Sequence, residues 1–337
     1  MKLLLGIFLA ALASATPCKE HHTITTVSSF ALIQNCTSLT GFVRIDISSD
    51  VAVVMNNLAT ASLLFISGSG IKSIDLPAMS SADGLYIINT PNLSSLKVPR
   101  LTTVDEISLI GTGTLESVSF SAGLKECNSF AIVNTKIQTL PGFDVTLLDH
   151  LELQDNPNLE LVLPNLSTIK GDLILKGDYS FKFVSNLSKV LGQFTLVDAP
   201  KVDLPLLQEV RGNVTIENFG GKEVRIPIKL INGSLAVTNS QVLEILSLNR
   251  LESIGRGLTL LNNSQLALLR LQSLTRCYNK FEIFSLKLRT IKLNRTLASL
   301  PYGSIKAHYG CVVTKQGLDM PNKERYCFNA INKLFRS

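Results

Sequence analysis

Read only for apolar and polar positions, most of the chain is one short unit used again and again. An apolar residue, a free position, a second apolar residue and another free position are closed by a residue that favours a bend. The unit runs Leu64-Phe65-Ile66-Ser67-Gly68, Leu85-Tyr86-Ile87-Ile88-Asn89, Ile107-Ser108-Leu109-Ile110-Gly111, Phe130-Ala131-Ile132-Val133-Asn134 and Leu151-Glu152-Leu153-Gln154-Asp155. It continues as Leu173-Ile174-Leu175-Lys176-Gly177, Phe194-Thr195-Leu196-Val197-Asp198, Val214-Thr215-Ile216-Glu217-Asn218, Leu235-Ala236-Val237-Thr238-Asn239, Leu258-Thr259-Leu260-Leu261-Asn262 and Phe281-Glu282-Ile283-Phe284-Ser285. Alternation with period two predicts a β-strand, its first and third residues inward and its second and fourth outward.

The closing positions Gly68, Asn89, Gly111, Asn134, Asp155, Gly177, Asp198, Asn218, Asn239, Asn262 and Ser285 follow one another at intervals of 20 to 23 residues. Gly, Asn, Asp and Ser tolerate positive φ or bond their own backbone at a bend, so each repeat is expected to turn a corner at the same place. A second apolar stretch follows about four residues later, often ended by Pro, as in Ile71, Ile74, Leu76 and Pro77, or Leu93, Leu96, Val98 and Pro99. Links such as Leu166-Ser167-Thr168-Ile169-Lys170-Gly171 then lead into the next strand. None has the ~10 residues that a helical leucine-rich repeat would spend there.

The expected fold is therefore all-β: a right-handed parallel β-helix, a solenoid like a receptor L-domain or leucine-rich repeat, with about 11–12 rungs of 20–23 residues. A single rung buries little, and stacking at ~4.8 Å gives all rungs one apolar interior. Composition agrees: 45% of residues are hydrophobic and 17% charged, so the chain can fill a core.

The ends suggest a compartment. Lys2, the apolar run Leu3 to Leu12 and then Ala13-Ser14-Ala15 form a signal-peptide pattern, with cleavage expected after Ala15. Ten apolar residues are about half of the ~20 needed to span a bilayer. No transmembrane segment is expected, and the basic stretch from Phe328 to Ser337 carries no hydrophobic tail of a glycolipid-anchor signal. The expected organisation is a signal peptide at 1–15, an N-terminal cap at 16–40, repeats at 41–299 and a C-terminal cap at 300–337.

A secretory route gives meaning to eight Asn-x-Ser/Thr sequons, at Asn35, Asn92, Asn165, Asn186, Asn213, Asn232, Asn262 and Asn294. It also permits disulfides, and the six cysteines fall in a pattern. Cys18 and Cys36 precede the first repeat and Cys311 and Cys327 follow the last, so each pair is expected to close a cap. Cys127 and Cys277 lie seven rungs apart, or ~34 Å at the strand spacing, too far to pair with each other. Cys127 then reads as a buried thiol, and Cys277 as another or as a partner of the C-terminal cap.

Net charge is +6. The basic residues are scattered, so nucleic acid is not an expected partner, and a mild attraction to anionic surface polymers is the most that follows. No cofactor or metal site is expected. His21, His22, His150 and His308 show no metal-ligand spacing, and Gly68-Ser69-Gly70 and Gly111-Thr112-Gly113 read as turns. Paired carboxylates of a polysaccharide enzyme would have to come from Asp155, Asp178 and Asp198, which already serve as bend residues or lie beside one. With no Trp and six Tyr, a groove for stacking sugar rings is not expected, although Phe65, Tyr86 and Phe284 fall at outward positions.

On several of these residues the chain resembles the fungal cell-wall organisation family of sporulation-specific, Sps2-like secreted glycoproteins, built from receptor-L-domain-like repeats. The likeness lies in Cys18 and Cys36 with Ile24-Thr25 between them and Leu39-Thr40-Gly41 after, in the rung from Leu163-Pro164-Asn165 to Leu173-Ile174-Leu175, and in Cys311 with Cys327. It implies a non-enzymatic role in wall or cell-surface organisation, with a wall polysaccharide, a mannoprotein or a protein ligand as partner. That family typically ends in a Ser/Thr-rich stalk and an anchor signal, and neither is read in this sequence. The alternatives are a soluble L-domain protein that binds a protein ligand and, less in keeping with the residues, a β-helix enzyme acting on polysaccharide.

Overall fold

The computed structural model describes residues 18–177, 180–199, 201–285, 287–293, 303–307 and 312–315. The signal-peptide segment, Asp178, Asn294, His308, Cys311 and Cys327 lie outside the described residues. The chain winds as a parallel β-solenoid of about 12 turns, and the one helix among the described residues is the single turn Val27–Phe30.

Three walls enclose the core. The broadest is a 14-stranded parallel sheet that takes one strand from every turn, including Thr60–Ser67, Ser81–Ile88, Thr103–Ile110, Glu126–Val133, His150–Gln154 and Leu173–Lys176. A second wall stacks seven two-residue strands, from Leu147–Leu148 to Arg276–Cys277. The third is broken into sheets of four, three and five strands. The last of these holds Glu223–Arg225, Ile245–Ser247, Leu268–Leu271, Thr290–Leu293 and Val312–Lys315. The expected terminal caps contribute strands of their own: His22–Ile24 pairs with Val43–Ile45, and Gly303–Ala307 continues the broad sheet beyond Phe281–Ser285.

Register aligns like with like. Leu151, Leu173, Phe194, Val214, Leu235, Leu258 and Phe281 are consecutive partners across the broad sheet, and all are buried. Leu153, Leu175, Leu196, Ile216, Val237, Leu260 and Ile283 form the parallel file two residues on, also buried. Each fully buried Leu or Phe is worth ~1.5–3 kcal/mol relative to exposure.

The corner after the broad sheet is a single file. Asn89, Asn134, Asp155, Asp198, Asn218, Asn239 and Asn262 have φ between 49° and 57°, and Gly68 and Gly111 have φ of 113° and 66°. From Gly68 to Asn239 the amide of each such residue reaches the next rung, as in Asn89 N to Ile110 O (2.8 Å) and Asn134 N to Gln154 O (2.9 Å). Gly177 departs from the file. It donates to Val197 O at 3.1 Å in the same way, but its φ is not left-handed. A β-carbon there would lie 2.8 Å from that of Phe181, so glycine serves close packing at this rung rather than the bend.

Just inside that corner runs a second file, which the apolar pattern did not reveal. Thr90, Thr112, Thr135, Asn156, Ala199, Phe219, Ser240 and Asn263 are all buried, and all but Ala199 and Phe219 are polar. Asn156 Oδ1 accepts from Thr135 N (3.1 Å) and Thr135 Oγ1 (2.8 Å), while Asn156 Nδ2 donates to Ile132 O (2.8 Å). Asn263 repeats the arrangement with Ser240 N and Val237 O. These amides satisfy backbone groups that the bend removes from the ladder.

At the N-terminus Cys18 and Cys36 form a disulfide with a Cα–Cα distance of 5.6 Å. Thr26 caps the helical turn, and Phe30 and Ile33 are buried against the end of the core. Burial pushes the Cys127 thiol up to about 12 and the Cys277 thiol up to about 11, so neither is poised as a nucleophile.

Candidate recognition face

The outer surface of the broad sheet is the largest ordered face of the molecule, and the outward positions of the repeat form columns on it. In the first five rungs the strands run eight or nine residues, so a third column appears upstream of the five-residue unit. It reads Phe42, Leu63, Gly84, Glu106, Ser129, His150. Sequence reasoning missed it. Phe42 and Leu63 each stand two residues before an outward position, and that alternation was the available signal.

This end of the face is apolar and aromatic. Phe42 and Leu63 are exposed, while Phe65, Tyr86, Ile88, Ile110 and Val133 are half-buried beside them. Phe65 is engaged from both adjoining rungs: the Arg44 guanidinium lies 5.2 Å from its ring centroid, and the Tyr86 ring stacks on it at 6.3 Å with 27° between planes. Tyr86 leans across Gly84, where an added β-carbon would run into its ring. Its hydroxyl donates to Glu106 Oε2 at 2.8 Å. Burial first, and then the Glu106 bond and charge, push the Tyr86 phenol up to about 12. Phe65 is thus held between neighbours and closed to a sugar ring, while Phe42 stands exposed beside it. Further along, the polar Glu152, Gln154, Lys176, Thr215, Glu217 and Thr238 are mixed with the half-buried Ile174, Val197 and Leu261, and Phe284 is exposed in the strand Lys280–Ser285.

The acidic residues considered for catalysis sit at corners. Asp155 Oδ2 accepts from Gln154 Nε2 at 3.0 Å, and Asp198 Oδ1 accepts from Asn218 Nδ2. Both carry positive φ, as expected of bend residues, and they lie two rungs apart. Among the described histidines, His21 Nδ1 accepts from Phe42 N (2.9 Å) and His150 lies 3.8 Å from Glu152. Among the described residues no three His, Cys, Asp or Glu side chains are grouped to hold a metal, and no helix is long and apolar enough to cross a membrane.

The sequons fall elsewhere. Asn35 is in the N-terminal turn, Asn92 in the turn after a corner, and Asn165 and Asn186 in turns leading from the third wall. Asn213 and Asn232 lie in the links that enter the broad sheet, and Asn262 at its corner. All are exposed except the half-buried Asn213, whose Oδ1 accepts from Ser234 N at 2.9 Å. None of these seven sits at an outward position of the broad sheet.

Two curated fungal proteins are similar to this chain. Protein ecm33 of Aspergillus fumigatus is 25% identical over 244 residues, covering 71% of this chain and 61% of that protein. A protein named cell surface GPI-anchored protein from Arthroderma benhamiae is 28% identical over 268 residues, covering 77% of this chain and 68% of its own length. The chain thus spans about three fifths of the first relative and two thirds of the second. No protein-family model and no solved structure matches.

Proposed function

We propose that this chain is a non-enzymatic glycoprotein of the fungal wall or cell surface, and that it binds another macromolecule through the outer face of its broad sheet. The location rests on the similarity to two fungal proteins, one of them named for the cell surface, and on the signal-peptide pattern of the first 15 residues. The resemblance to Sps2-like wall-organisation glycoproteins points the same way.

The observation that carries the binding mode is the placement of the sequons. A continuous 14-stranded face with an apolar, aromatic end is free of glycan acceptor sites at its outward positions, while the other sides carry them. Glycans solvate the surfaces they cover and leave a bare apolar strip as the surface able to bury area in a complex. A protein partner, including the protein part of a mannoprotein, suits the cluster better than a bare polysaccharide, because Phe65 already stacks on both sides.

The test has two parts. Fractionation of cells that make the full chain should place it in the wall or at the outer surface, and recovery in the cytosol would end the proposal. A photo-crosslinking residue at Ile88 or Val133 should capture a discrete partner, and one at Thr168 on the second wall should not. Equal capture from both walls would remove the role given to the broad sheet.

A further inference from the structure

A second, chemically different feature lies on the third wall, away from the broad sheet. In its five-stranded part the outward positions Arg225, Ser247, Arg270 and Lys292 are consecutive register partners. Three cations and one small hydroxyl residue thus share a column with ~4.8 Å between rungs. Because Ser247 is short, the wall is indented between the two arginines. The indentation is a cavity of about 250 Å³ lined by Arg225, Ser247, Arg270, Ile226, Pro227 and the corner pair Asn249 and Arg250.

The charges there are poorly compensated. Glu223 pairs with Arg225 through Nε at 2.6 Å, which leaves the two Nη groups of that guanidinium available. Among the described residues, no carboxylate lies within ion-pair distance of Arg250 or Arg270. Glu252, two residues after Arg250, is exposed and lies beyond that distance, and Glu244 is taken by Lys222 at 3.1 Å. Guanidinium groups stay protonated at any biological pH, so with Arg225 alone paired the cavity keeps a net positive charge that a bound anion would offset.

We propose that this cavity binds a tetrahedral oxyanion, the phosphate or sulfate ester group of a surface glycan or its free form. Donors arrive from the rung on one side (Arg225), the rung on the other (Arg270), the corner (Arg250) and the floor (Ser247). A planar carboxylate presents its two oxygens in one plane, whereas a phosphate or sulfate group presents its oxygens tetrahedrally and so suits donors that converge from several directions. The site is independent of the broad-sheet face and stands or falls without it.

Calorimetric titration of the full chain at fixed ionic strength tests this, with inorganic phosphate, inorganic sulfate and acetate as probes. The expected result is one saturable site for phosphate or sulfate, with acetate at least tenfold weaker. Glucose 6-phosphate and glucose 6-sulfate then distinguish the two ester sources by which binds more tightly. Replacing both Arg250→Gln and Arg270→Gln should weaken binding at least tenfold. The charge-matched pair Arg100→Gln and Arg211→Gln, on exposed residues elsewhere, should leave it unchanged. Absence of a saturable site, acetate binding as tightly as phosphate and sulfate, or equal loss in the two double variants would each overturn the assignment.

Discussion

On the outer face of the broad sheet the Tyr86 hydroxyl donates a 2.8 Å hydrogen bond to Glu106 Oε2 on the adjacent rung. Ser108 Oγ reaches the other carboxylate oxygen at 3.4 Å, so the carboxylate takes hydroxyl donors from two rungs. The bond joins the aromatic cluster to the first polar residue of its column.

That bond predicts a titration. The folded phenol is raised to about 12 while the unfolded one ionises near 10, so between these values the folded state holds more protons. The stabilising contribution is therefore complete below pH ~10 and is lost as pH rises towards 12. Urea unfolding of the wild type should show a fall in stability over that window that Tyr86→Phe makes shallower, the raised Cys127 and Cys277 thiols accounting for a part that remains. Glu106→Gln should lower the ultraviolet-detected ionisation of Tyr86 without returning it to 10, because burial is the larger cause.

The buried corner file predicts opposite outcomes for two residues three rungs apart along it. Asn156→Ala leaves Thr135 N and Ile132 O without buried partners and should cost ~2–4 kcal/mol in denaturant unfolding. Thr90→Val replaces a buried hydroxyl that has no hydrogen-bond partner, and should be neutral or stabilising by up to ~1 kcal/mol. Equal losses in the two would mean that packing, not hydrogen bonding, sets the value of the file.

At the corner itself, Asn134 holds φ of 53°. Asn134→Gly should leave the thermal midpoint within a few degrees, whereas Asn134→Val, whose branched side chain resists the left-handed region, should destabilise by ~1–2 kcal/mol. A midpoint for Asn134→Val equal to that of the glycine variant would show that the bend can flatten locally.

A glycine file separates the second wall from the broad sheet, with Gly212 N donating to Gly192 O at 2.8 Å and Gly233 N to Gly212 O at 3.1 Å. A β-carbon on Gly212 would lie 2.5 Å from Gly192 O, which is backbone and cannot swing aside. Gly212→Ala should therefore cost ~2 kcal/mol or more, while Gly113→Ala, with nothing within 4 Å, should be neutral or stabilising by ~0.4–1 kcal/mol. Thermal unfolding of the two variants side by side checks the pair.

Much of the architecture was legible in the residues. The alternation in Leu173-Ile174-Leu175-Lys176 states which side chains face the core, because successive strand residues point to opposite faces whatever the surroundings. What escaped were features that depend on the adjoining rung. The Thr90 to Asn263 file breaks the apolar rule for buried positions, and its reason is visible only when Asn156 is seen beside Thr135. The column from Phe42 to His150 was hidden because strands in the first rungs extend upstream of the repeated unit. Gly177 has the residue type of the corner column, but Phe181 settles its conformation.

By itself, then, the sequence determined the solenoid: period-two alternation and a bend former every 20 to 23 residues are local, and local steric preference is enough to read them. Tertiary structure alone decided which outward side chains meet. Arg44 with Phe65 and Tyr86, or Arg225 with Ser247 and Arg270, become neighbours through register between strands some twenty residues apart. Rung length varies along the chain, and a shift of one residue would send each of these side chains to the other face.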